Sequence, residues 1–134
     1  MLSDASVRLA GILLLATTTI AFGGTFVLRV VRGTEPATGL QTSFYRAGHA
    51  HAGVLVLFAL AIQPYADAAG LDGLLGWVAR SGVAGAAILM PAGFFLSVLG
   101  RGVERPNRLI ALVWAGAALL TVSVATLGVG LLVA

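Results

Sequence analysis

Long apolar runs separated by short polar breaks dominate this chain, and their lengths rather than any alternation set its architecture. About twenty helical residues cross the ~30 Å hydrocarbon core of a bilayer. The run over residues 7–31 predicts a first helix at about 5–32, with Ser3 or Asp4 as N-cap and Gly33 as C′ residue. A second helix is expected at about 43–66, capped by Thr42 or Ser43 and ended by Pro64. A third is expected at about 74–100, with Leu71 to Ala79 along the membrane interface and Trp77 at headgroup depth. A fourth is expected at about 106–133, with Pro106 in its first position. The expectation is an all-α integral membrane four-helix bundle, a single domain over residues 1–134 with no internal repeat.

In lipid, close packing replaces the hydrophobic effect as the drive for helix association, and small residues permit it. The first helix has such a stripe in Ala10, Leu14, Thr17, Ala21 and Gly24. Gly82, Ala86, Leu89, Gly93, Ser97 and Gly100 form another on the third helix, and Ala118, Thr121, Ala125 and Gly128 a third on the fourth. Thr17, Thr18 and Thr19 are expected to bond their own i−4 carbonyls. Pro91 leaves the Ala87 carbonyl without its usual donor, which predicts a packed kink. On the second helix, 100° per residue places Tyr45, His49, Ala52, Gly53, Ala59, Leu60 and Gln63 on one side, facing the bundle. His51, Val54, Leu55, Phe58 and Ile62 fall on the other, facing lipid or another subunit. The two histidines therefore cannot share one metal ion on an unbroken helix.

Composition agrees with a membrane chain. The sequence is 59% hydrophobic and 10% charged, against about 25% charged in a soluble domain. Cysteine is absent, which excludes disulfides, thiolate metal sites and cysteine nucleophiles. The run at 7–31 is too long for the apolar core of a cleavable signal peptide. All basic residues are arginines. Arg29, Arg32, Arg46, Arg101, Arg105 and Arg108 flank the first and third loops, whereas Arg8 and Arg80 lie on the other side with Asp4, Asp67 and Asp72. The positive-inside rule then puts both termini outside and the arginine loops in the cytoplasm, as in a bacterial inner or plasma membrane.

No phosphate-binding glycine loop, H-E-x-x-H or paired carboxylate is present. No acidic residue lies deep within a span, which argues against a carboxylate-coupled transporter. The remaining constellation is Tyr45, Arg46, His49 and His51, with Arg101, Arg105, Asn107 and Arg108 on the same membrane side. Together they make a cationic, hydrogen-bonding rim over an apolar bundle, suited to an amphiphile with a polar or anionic head and an apolar tail. The plainer alternatives are that the arginines fix topology and touch lipid phosphates, that Tyr45 is an interface anchor, and that His49 is a packing residue. Enzymatic activity stays open.

The string Arg46-Ala47-Gly48-His49-Ala50-His51 opening the second helix and Pro106-Asn107-Arg108-Leu109 opening the fourth resemble the MAPEG superfamily, the membrane-associated eicosanoid and glutathione metabolism proteins. Arg46, His51 and Arg108 are the matching positions. The resemblance implies a homotrimer with a lipophile or glutathione site between subunits near the cytoplasmic face. Gly53 and Val56 stand where that family has an Asn and a Glu, so glutathione transfer is not expected. The H-A-H string is also similar to haem-binding helices of nitric oxide reductases and haem–copper oxidases, which implies a haem- or metal-binding subunit using His49 or His51. Because the third and fourth spans lack histidine, a bis-histidine haem would draw His49 from two subunits. Two further alternatives are a structural accessory subunit of a larger membrane complex and a transporter or channel with a pore between small-residue stripes.

Overall fold

The computed structural model describes residues 1–134. It contains α1 (Asp4–Val31), α2 (Gly39–Ala61), a short α3 (Gln63–Ala68), α4 (Gly73–Ser97), a 3-10 turn (Arg108–Ile110) and α5 (Ala111–Val133). Four helical segments are each long and apolar enough to cross a membrane: α1, α2 with α3, α4, and α5 with the 3-10 turn. The chain is thus all-α, and these spans support a multi-pass membrane protein.

The helix ends follow local chemistry. Ser3 caps α1 by accepting from the Ser6 N–H. Gly33, at φ 74°, ends it. The Gly33 and Thr34 N–H groups donate to the Val30 and Arg29 carbonyls at 3.1 and 3.0 Å, the pair of bonds that defines a Schellman motif. α2 starts earlier than the apolar run suggests, because Thr38 and Gln41 form a capping box. Thr42 and Ser43 therefore lie inside the helix. Pro64 does not end the span either. It falls in the first turn of α3, where its missing N–H is not needed, and the Gln63 side-chain amide donates to the Ala59 carbonyl at 2.7 Å.

Pro106 lies outside any helix. Asn107 instead caps the 3-10 turn, with its Oδ1 accepting from the Leu109 N–H at 2.8 Å. Trp77 belongs to α4, which begins at Gly73 and stays helical across Pro91. Leu71 precedes that helix.

α4 is the central helix. It packs along α5 and along α2, while α1 packs mainly on α2 and only brushes α4. No Cα of α5 comes within 8 Å of one in α1 or α2. The α4–α5 seam is built on glycines. A Cβ on Gly93 would lie 2.6 Å from the Val113 backbone nitrogen, and one on Gly116 would lie 2.5 Å from Met90 Cγ. Gly82 sits against Ser123, whose hydroxyl donates to the Val78 carbonyl at 2.9 Å.

The expected stripe on α4 matches at Gly82, Ala86, Gly93 and Ser97, all buried, whereas Gly100 lies beyond the helix. The expected stripe on α5 does not match. Ala118, Thr121, Ala125 and Gly128 are exposed, and Gly116, Ser123, Leu127 and Gly130 are buried instead. On α1, Leu14 and Ala21 face outward, and Ser6 and Leu13 are buried with Ile20 packed beside them. Of Thr17, Thr18 and Thr19, Thr17 alone bonds its i−4 carbonyl, while Thr18 and Thr19 reach i−3 carbonyls.

Gly93→Ala should destabilise the fold by about 1–3 kcal/mol, read as a lower midpoint in a detergent unfolding titration. Gly128→Ala, whose new Cβ would meet nothing within 4 Å, should leave the midpoint unchanged or raise it slightly. Equal effects of the two changes would contradict the proposed seam.

Candidate functional site

At the arginine-rich end, the loop from α4 to α5 is fastened to α2. Gln41, 2% exposed, donates to the Val98 and Gly100 carbonyls at 3.0 and 2.9 Å. Thr38 donates to the Val103 carbonyl at 2.6 Å. Asn107 donates through its amide side chain to the Leu96 carbonyl at 3.0 Å and through its backbone to the Ser97 carbonyl at 2.8 Å. Asn107 thus joins the ends of α4 and α5. Both ends of its amide take part in bracing the loop. Arg46, Arg101, Arg105 and Arg108 are exposed around this brace. None has a carboxylate within 4.0 Å, whereas Arg29 pairs with Glu35 and Arg80 with Asp67.

Below the rim lies an aromatic layer. Tyr45 is not an interface anchor. It is buried, with its ring edge-on to Phe26 of α1 at 5.1 Å and stacked on Phe95 of α4 at 5.5 Å. Gly48 admits this packing, since a Cβ there would lie 2.8 Å from the Phe95 ring. The Phe94 ring meets Phe44 at 5.6 Å and His51 at 5.0 Å.

The histidines lie on opposite flanks of α2. His49 is half-buried and faces α1, where its Nε2 would be 3.2 Å from a Cβ on Gly24. His51, expected to face lipid or another subunit, is half-buried against α4. Its Nδ1 lies 2.8 Å from the Ala47 carbonyl oxygen. A carbonyl only accepts, so Nδ1 carries the hydrogen in this network. In the neutral ring the Nε2 lone pair is then left free to accept a proton or bind a ligand.

Phe44, His51 and Phe58 recur every seven residues, which keeps them on one face of α2. Phe44 and His51 meet Phe94 of α4, and of the three only Phe58 lies near α5. Nearer the termini, Phe58, Ile62 and Tyr65 line a cavity of about 320 Å³ together with Val124, Leu127 and Leu131. This cavity is a lateral cleft between α2 with α3 on one side and α5 on the other.

No three His, Cys, Asp or Glu side chains come together. With one imidazole facing α1 and the other facing α4, a single copy offers a haem at most one axial nitrogen. His51 Nε2, with its partner nitrogen held by a carbonyl, is the better suited of the two.

The opposite end carries a second polar cluster that the sequence pattern left unassembled. Arg80 Nη1 donates to Asp67 Oδ1 at 2.6 Å, to Ser3 Oγ at 3.1 Å and to Ser6 Oγ. Ser3 donates to the same carboxylate through its hydroxyl at 2.7 Å and its backbone N–H at 2.9 Å. Gln63 Nε2 donates to the Arg80 carbonyl at 3.2 Å, and its Oε1 is buried without a partner. This clasp ties the first turn of α1 to α3 and α4. The only sequence signal for it was that Arg80 falls on the same side of the membrane as Asp67. The comparisons offer no template for either end: no known protein family, no characterised protein and no solved structure matches this chain.

Asp67→Asn should remove the counter-charge from a largely buried guanidinium, with a loss of about 1–3 kcal/mol. A detergent unfolding midpoint equal to the wild type would show that the clasp contributes nothing.

Proposed function

We propose that this protein binds an amphiphile in the cleft between α2 and α5, with its apolar tail on Phe58 and Leu127 and its anionic or polar head at the arginine rim. The observation that carries this reading is an open apolar cavity between α2 and α5 together with, at the other end of the same two helices, Arg46, Arg101, Arg105 and Arg108 without an internal counter-charge. Arginine recognises phosphate and carboxylate groups bidentately, and such bonds are about twice as strong as neutral ones. His51 Nε2 adds a lone pair to which a head-group hydroxyl can donate. Arg46, His51 and Arg108 thus receive the roles that the MAPEG resemblance implies. The layout is also compatible with a trimer in which a neighbouring subunit walls the cleft. On the positive-inside rule the rim faces the cytoplasm.

A haem-bearing subunit is the second reading, favoured by the carbonyl-held His51 ring. One purified sample separates the two: a Soret band lost in His51→Ala supports haem, and a colourless preparation removes that reading. Native mass of the same sample counts subunits.

For the amphiphile reading, the double change Arg46→Gln with Arg108→Gln should weaken binding of an anionic fluorescent amphiphile by at least about tenfold, which corresponds to about 1.4 kcal/mol. It should leave binding of a neutral analogue with the same tail little changed. Equal affinity of the wild type and the double variant for the anionic probe would refute the assigned head-group site.

A further inference from the structure

The termini end carries a second groove, which shares no lining residue with the α2–α5 cleft. α1 and α4 barely touch, and the gap between their first turns forms a cavity of about 560 Å³. Leu9 and Ile12 supply an apolar wall, Trp77 flanks it, and Asp4, Arg8 and Arg80 bring charges of both signs.

These charges are available to a ligand. Arg80 is held in place by the clasp, yet every bond that it makes there runs through Nη1. Its Nη2 and Nε hydrogens have no acceptor within the protein. Arg8 has no carboxylate within 4.0 Å, and Asp4, one turn before it, has no cationic partner within that distance. A pair at i and i+4 on a helix would ordinarily close on itself for a few tenths of a kcal/mol. Here the two side chains stay apart at the mouth of an apolar groove. Trp77 is exposed next to them, and tryptophan near the end of a span suits headgroup depth.

We propose that the groove between α1 and α4 binds a zwitterionic phospholipid of the surrounding bilayer, with phosphate on Arg8 and Arg80, amine on Asp4 and one acyl chain along Leu9 and Ile12. The ligand class follows from the charges. Two guanidiniums match a phosphodiester, and the carboxylate beside them matches a primary ammonium and repels a head with no cation. The clasp fixes Arg80 in advance, so little side-chain freedom is lost when lipid binds. This site shares no residue with the amphiphile cleft and does not depend on it.

The test is native mass spectrometry of the protein released from vesicles containing equal amounts of phosphatidylethanolamine and phosphatidylglycerol. Wild type should retain phosphatidylethanolamine in preference to phosphatidylglycerol. Arg8→Gln should lower its retention about tenfold, and Asp4→Asn should reverse the preference toward phosphatidylglycerol. Both residues lie outside the clasp, and helical circular dichroism confirms that the variants fold. The Arg46→Gln, Arg108→Gln double variant should keep this lipid, which distinguishes the groove from the cleft. Retention of the two lipids in equal amounts by the wild type, or retention unchanged by both Arg8→Gln and Asp4→Asn, would overturn the proposal.

Discussion

Close backbone approach along α4 is the constraint on which the rest of the structure depends. Lipid tails are as apolar as leucine side chains, so four greasy helices gain nothing from hiding apolar surface from one another. They gain from dense van der Waals contact, and that requires small residues where the backbones cross. Gly82, Gly93 and Gly116 supply this between α4 and α5, and Gly48 supplies it between α2 and the Phe94–Phe95 pair. With α4 engaged on both sides, α2 and α5 stay apart. The cleft is therefore a consequence of how the seams are spent: the small residues serve α4, and the end of α2 bearing Phe58 has no Cα of α5 within 8 Å.

Polar groups gather at the two ends and do different work there. At one end the Arg80–Asp67 pair, Ser3 and Ser6 satisfy one another and hold three segments together. At the other, Gln41, Thr38 and Asn107 take over the carbonyls of a loop that would otherwise lie unbonded over the bundle. Because amides and hydroxyls complete that brace, its arginines remain uncommitted. Spare cations around a self-sufficient brace are the physical basis for placing the polar head of the cleft ligand at the second end.

Much of the architecture was legible in the sequence, because span length and charge depletion are first-order signals. The four helices, a cap at Ser3 or Asp4, the Gly33 stop and the α4 face at Gly82, Ala86 and Gly93 all follow from local pattern. Helix starts were less legible where a cap lay in polar sequence, as with Thr38 and Gln41, or where a cap was hidden behind a proline, as with Asn107. The packed face of α5 was not legible. Small residues occur all around that helix, so composition alone could not separate Gly116 and Ser123 from Ala118 and Ala125. Of the candidate site, 100° geometry separated the two histidines correctly but could not say that Phe94 would meet His51. Contacts of that kind depend on where α4 lies, which no periodicity within α2 encodes.

The central claim is that the space between α2 and α5 accepts an acyl or other apolar chain more readily than the remaining lipid-facing surface. Photo-crosslinking in proteoliposomes tests it directly, using an anionic lipid with a photoactivatable group midway along its acyl chain and mapping the modified residues by mass spectrometry. The account predicts labelling concentrated on Phe58, Tyr65, Val124 and Leu131. Labelling spread evenly over these residues and over the exposed Leu15, Phe22 and Leu132 would contradict it.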